Sequence, residues 1–360
     1  MVVRIILALV AAGALLAQEP AENNLQTGIA LTRQGRFEQA IPHFLAARGH
    51  VADEFAVEFN LALCYVGTRQ FPQAIAILTQ IGGGGRHAAD VNNLLAQAFA
   101  GDHQQDAAMK AFERAAAASP KNEKLYLLVS EACLDEGLYE LGLRVLAVGL
   151  RNLPDSPRLL FERGLLRSQL EEPDLAGADF QLVRKLAPDS DIAYIAAAQQ
   201  ALLAGNVQEA IRAAREGIGK GHAHYLLLTM LGEALLRAGA TPATPAEFGE
   251  AQATLERAVA ERPGYSSAHI ALGRVYLAGQ RTDDAIAQLE AGRQLDPRNR
   301  AVYAALATAW RRAGKSDKAR EALAALAELN RQEAARIGSA DGGHSGYAGG
   351  RSGPEDAGAR

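Results

Sequence analysis

Prolines recur on a fixed spacing in this chain, and that spacing limits the fold more than any other feature. Pro120, Pro154 and Pro188 stand 34 residues apart, Pro263 follows 75 further on, and Pro297 another 34 after that. The longer gap is two periods plus seven residues, so a single insertion restores the register. Periods of this size mark repeat architectures, in which one supersecondary unit stacks on the next and none buries its apolar face alone. Extended both ways, the frame gives nine units: 21–54, 55–88, 89–122, 123–156, 157–190, 191–224, 225–265, 266–299 and 300–333.

Positions that played no part in choosing the frame agree with it. The eighth position of the nine units holds Gly28, Ala62, Ala96, Ser130, Gly164, Ala198, Gly232, Gly273 and Ala307. The twentieth holds Ala40, Ala74, Ala108, Gly142, Ala176, Ala210, Ala251, Ala285 and Ala319. Small residues are needed wherever two antiparallel helices cross closely, because a larger side chain pushes them apart. Bulky apolar residues recur at the eleventh position (Tyr65, Phe99, Tyr276, Trp310) and the twenty-fourth (Phe44, Leu78, Phe112, Leu146, Phe180, Leu289, Leu323) and are expected to fill the space between. Gly35, Gly137, Gly205, Gly239 and Gly314 mark turns between paired helices, where a left-handed residue is useful. With 74 alanines and only 6% aromatic residues, the composition suits close-packed helices and excludes an all-β fold.

On these residues the sequence resembles the tetratricopeptide-repeat family across about 313 of its 360 residues. The resemblance implies an all-α protein, a right-handed α-solenoid of helix–turn–helix repeats spanning 18–337. It also implies a protein- or peptide-binding scaffold whose first helices line a concave groove through positions two, five, nine, twelve and thirteen. Here the candidate groove residues are Phe59, Leu63, Asn93, Gln97, Lys124, Glu131, Arg158, Phe161, Ile195, Gln199, Glu233, Arg237, Arg274, Arg311 and Arg312. They are apolar in the middle of the chain and basic toward its end. Phe59 and Phe161 both fall at position five and are expected to be solvent-facing anchors for a partner. The family's clamp for a terminal carboxylate needs Lys and Asn at positions five and nine of an early repeat. Leu25 and Ile29 stand there, although Asn60 fits the sixth position of the second repeat, so binding of that kind is not expected.

Several departures carry expectations of their own. Gly82–Gly85 replaces the proline turn of the second repeat and reads as a flexible joint. Pro42 falls inside a second helix, which should start late or kink. Arg167 occupies an aromatic site, and the sixth repeat is weak, with Ala201 at its aromatic site, Ala214 at its core site and His222 in place of proline. The seven-residue insertion lies within residues 241–247 and reads as a lengthened loop. The final helix is expected to run on to Arg336, and the Gly/Ser-rich stretch 338–360 to be disordered.

The N-terminus reads as a targeting signal. Arg4 precedes an apolar run from Ile5 to Ala17, too short for the roughly 20 residues that cross a bilayer. Small residues end that run before Gln18-Glu19-Pro20, so cleavage is expected after Ala17, giving an exported protein, periplasmic or secreted, without a membrane span. A net charge of −4 offers no basic field for nucleic acid.

Catalytic and metal signals are weak. Two cysteines, Cys64 and Cys133, cannot build a disulfide scaffold or a cysteine-based zinc site and read as buried thiols. His222 and His224 are two residues apart and should diverge on a helix. Gly314-Lys315-Ser316 lacks the leading glycine of a phosphate loop, and no strand precedes it. The pairs Glu171-Glu172 and Asp283-Asp284 read as helix caps. No cofactor is called for. The sequence thus reads as a non-enzymatic exported scaffold that binds a protein segment of unknown identity. The alternative is a non-catalytic subunit that recruits substrate or partner to an envelope enzyme complex.

Overall fold

The computed structural model describes residues 20–341, so the proposed signal segment and residues 342–360 lie outside it. Among the described residues there are eighteen α-helices and no strand. The chain divides into two compact units, one ending at Ala223 and the other beginning at His224. The first unit holds α1 (20–33), α2 (Phe37–Ala47), α3 (Glu54–Gly67), α4 (Phe71–Ile81), α5 (Ala88–Gly101) and α6 (Gln105–Ala118). It continues with α7 (Glu123–Asp135), α8 (Tyr139–Asn152), α9 (Pro157–Gln169), α10 (Pro173–Leu186), α11 (Asp191–Leu203) and α12 (Val207–Gly219). The second unit holds α13 (Tyr225–Arg237), α14 (Pro245–Glu261), α15 (Ser266–Ala278), α16 (Thr282–Leu295), α17 (Arg300–Arg312) and α18 (Ser316–Asp341). Within each unit, helices touch only those one or two places away along the chain, the contact pattern of an α-solenoid.

One turn geometry joins all nine helix pairs. Its central residue is left-handed each time: φ is 72° at Gly35, 67° at Gly137, 74° at Gly205, 94° at Gly239 and 72° at Gly314. The other four turns use side-chain-bearing residues in the same conformation, Arg69, His103, Glu171 and Gln280, at φ between 57° and 61°. The following N–H donates back to the carbonyl five residues earlier, as from Gln70 to Tyr65 at 2.7 Å and from Lys315 to Trp310 at 2.9 Å. This satisfies a carbonyl that the helix end would otherwise orphan. Glycine therefore eases this turn but is not required by it. Two of the exceptions have further work: Arg69 Nη2 donates to Glu136 Oε2 at 2.7 Å, and His103 Nε2 lies 3.9 Å from the same buried carboxylate.

All eighteen small-residue positions of the frame are buried. Their need for small size is visible at the glycines. A β-carbon on Gly164 would meet the Phe180 ring at 2.7 Å, and one on Gly232 would meet Leu255 Cγ at 2.4 Å. The bulky twenty-fourth position of one helix thus sits on the small eighth position of its partner, and Phe44, Leu78, Phe112, Leu146, Phe180 and Leu289 are fully buried. Leu323 departs from that pattern, with 47% of its surface exposed. Cys64 and Cys133 are free, buried thiols. Burial, with Glu136 adding to it, pushes the Cys133 thiol up to about 12.

Five expectations need correction, in whole or in part. Pro42 neither delays nor divides α2, which runs unbroken from Phe37 to Ala47. The glycine run is tied down: Asn92 Nδ2 donates to the Gly83 and Ala88 carbonyls at 3.1 and 2.8 Å, and Arg114 Nε holds Asn92 Oδ1 at 2.7 Å. The acidic pairs do sit at helix N-termini, Glu172 at the N-cap of α10 and Asp283 and Asp284 in the first turn of α16, but Glu172 makes no capping hydrogen bond and Asp284 accepts from Arg281 at 2.7 Å. The insertion only partly enters the loop. Residues 238–244 link α13 to α14, where three residues serve the corresponding turn at 204–206, and α14 has 17 residues against 14 in α16. Finally, α18 continues to Asp341, beyond both Arg336 and the start of the Gly/Ser-rich stretch.

Candidate functional site

In the second unit, first helices α15 and α17 lie side by side with an open hollow of about 480 Å³ between them. Its floor is small and apolar: Leu277 and Ala278 from α15, and Ala301, Ala304 and Ala305 from α17, with Thr308 beside them. Arg274 and Arg312 stand at its edges, both exposed. Asn299 caps α17 by accepting from the Ala301 N–H at 3.1 Å, which fixes where that helix begins and which face it turns to the hollow. Arg312 Nη1 donates to the Leu277 carbonyl, joining the two walls, whereas Arg274 has no ion pair within 4 Å among the described residues. Beside Arg274 is Glu233 of α13, whose carboxyl burial pushes up while Arg237 and Arg274 pull it down. An apolar floor with guanidinium groups at the rim can hold a peptide's side chain and pair with a neighbouring carboxylate.

The expected groove residues divide by what they touch. Arg274 and Arg312 line this hollow; Glu233 and Arg237 of α13 are outside its lining, with Glu233 under the influence of both Arg237 and Arg274. Arg311 is not part of the lining; its Nε turns back to the Ala307 carbonyl of its own helix at 3.3 Å. In the first unit, Phe59 stacks on Phe55 with ring centroids 5.7 Å apart, and Leu63 packs half-buried on the core. Gln97 donates to Asn93 at 2.9 Å; Lys124 is exposed and Gln199 half-buried. Arg158 reaches Glu123 at 3.5 Å. Glu131 and Asp135 of α7 face Glu162 of α9, whose carboxyl is raised to about 7, chiefly by burial and then by Glu131.

Three of the expected groove residues are buried. Phe161 is only 8% exposed and packs on Phe180 at 5.5 Å, so it is no solvent-facing anchor. Ile195 is 4% exposed and belongs to the core. Asn93 is 2% exposed, its Nδ2 donating to the Leu125 carbonyl at 2.8 Å, so it ties α5 to α7 and does not face a ligand. The converse oversight is the alanine floor. Ala301, Ala304 and Thr308 fall at groove positions two, five and nine, but have neither the size nor the charge that marks a binding residue in a sequence.

A model of the tetratricopeptide repeat matches residues 31–98 and 246–294. Two stretches of the chain are therefore similar to the tetratricopeptide repeat. Among solved structures it is similar to the Cut9–Hcn1 hetero-tetramer of the APC/C, at 16% identity and TM-score 0.51, covering 86% of this chain and 64% of that one. It also matches a tetratricopeptide repeat protein from Parabacteroides merdae at 16% identity, covering 70% of this chain and 97% of that one, TM-score 0.48. No curated protein matches. At such identities the likeness extends to the fold alone. Among the described residues no helix is long and apolar enough to cross a membrane, and no cluster of three or more His, Cys, Asp or Glu is placed to hold a metal.

Proposed function

We propose that this tetratricopeptide array is a non-enzymatic, exported scaffold that captures a segment of a partner protein. The hollow between α15 and α17 carries the reading. Its alanine floor leaves room for an apolar side chain, and Arg274 and Arg312 favour an acidic residue next to it. The short apolar run before Gln18 supports export, with cleavage after Ala17.

The test is capture from an envelope extract by the purified protein, with bound chains read by mass spectrometry. Ala304→Trp fills the hollow from an exposed site, and Arg274→Glu reverses its charge. Both variants should keep the helical circular dichroism and lose at least tenfold in capture of the same partner, Arg274→Glu mainly at low salt. Undiminished capture by both would refute the groove reading. N-terminal sequencing of the protein from its host tests export, and a chain still beginning at Met1 would refute cleavage.

A further inference from the structure

A second groove lies in the first unit, on the side of the second helices. It runs between α10 and α12 over the small-residue face of α11, with a volume of about 880 Å³. Its origin is visible by comparison with the eighth repeat. There Tyr276, at the eleventh position of α15, donates to Glu256 of α14 at 2.9 Å, and Arg281 stacks over its ring at 4.1 Å. The same three positions in the sixth repeat are Ala201, Gln181 and Asn206, and all three line the open groove. Four of the nine repeats place a ring at this position (Tyr65, Phe99, Tyr276 and Trp310), and the sixth has the smallest side chain of all nine there. Ala193, Ala197 and Ala204 extend the floor.

Charge around the groove is unbalanced. Lys220 is paired with Glu216 at 2.9 Å and Arg212 with Glu209 at 3.4 Å. Arg184 and Lys185, exposed on the opposite wall at the end of α10, have no acidic partner within 4 Å among the described residues. An occupant that completes this site supplies an aromatic ring where the eighth repeat has Tyr276, and carboxylates for the unpaired cations. The groove is open along α11 and larger than one side chain needs, which fits a stretch of polypeptide. We propose that this groove is a docking site for an acidic protein segment that inserts one aromatic side chain above Ala201.

The probe is an acetylated, amidated heptapeptide with tyrosine at its centre and two acidic residues on each side, titrated into the full chain with methyl-labelled alanine. The Ala197 and Ala201 methyl resonances should shift through the ring current, and the same peptide with alanine for tyrosine should bind at least tenfold more weakly. Ala201→Tyr supplies the ring from within, as Tyr276 does, and should also lose at least tenfold. Arg184→Glu with Lys185→Glu alters exposed side chains only; it should lose at least threefold at low salt with the fold intact. The proposal is overturned if millimolar peptide leaves Ala197 and Ala201 unmoved, or if it moves Ala304 and Ala305 instead. It is equally overturned if the charge-reversed protein binds as the wild type does. Because this groove and the α15–α17 hollow are separate surfaces with separate variants, failure of one reading leaves the other standing.

Discussion

Arg167 Nη1 donates to Asp179 Oδ2 at 2.8 Å, at a position where Tyr65, Phe99, Tyr276 and Trp310 place an aromatic ring in other repeats. Arg163 Nε reaches the same oxygen at 3.0 Å, and Asp179 is 2% exposed. Between α9 and α10 an ionic cluster thus stands in for ring packing. A buried carboxylate held by two guanidiniums costs little while all three are present and much when one is lost. Asp179→Ala should lower the unfolding free energy by about 3–5 kcal/mol, read from urea denaturation. A loss below about 1 kcal/mol would mean that the cluster is solvated.

The shared turn gives two substitutions of opposite sign. Gln280 is exposed and held at φ 60°, where a side chain is strained. Gln280→Gly should stabilise by about 0.5–1 kcal/mol, and Gly314→Ala, placed at φ 72°, should destabilise by about 1 kcal/mol. Thermal melts that move the same way for both would contradict the turn assignment.

Ala176 has no exposed surface at its helix crossing, while Ala243 is exposed in the lengthened loop. Ala176→Leu should cost about 1–3 kcal/mol through overpacking, and Ala243→Leu almost nothing. Equal melting temperatures would show that the crossing is not tight.

Glu162 makes stability depend on pH. Its folded pKa, raised to about 7, lies above the ordinary 4.5, so the folded chain holds the proton more tightly than the unfolded chain between those values. Stability from this group is therefore fully present below about pH 4.5 and is lost as pH rises through 7. Glu131 and Asp135 act in the same direction and Arg158 against it. Glu162→Gln should stabilise by about 1–3 kcal/mol at pH 8 and change little at pH 4.5. Urea titrations at the two pH values check this, and a gain confined to acid pH would reverse the assignment.

The period and the small crossing residues were legible in the sequence because each is a local requirement repeated nine times; the turns were legible only at the five that use glycine. What escaped depends on contacts that a frame position does not encode. Phe161 has a groove position, yet Phe180 lies close enough to take its ring. Arg167 looked like a defect because Asp179, its compensation, is on the next helix. Glycines 82–85 looked loose because Asn92, which holds Gly83, stands nine residues away. The alanines under the hollow carry no chemistry of their own and gain meaning only from the space they leave.

Contacts made mainly with near neighbours also determine how mechanical load is carried. A segment pulled from its groove strains the helices that hold it and those one or two places along, and few contacts within a unit, such as that of Arg69 with Glu136, reach further to share the burden. Force should therefore peel a unit repeat by repeat, in small steps, where a globular domain of the same size would yield at once. A scaffold of this kind gives way gradually under tension and can re-form each repeat when the tension is released.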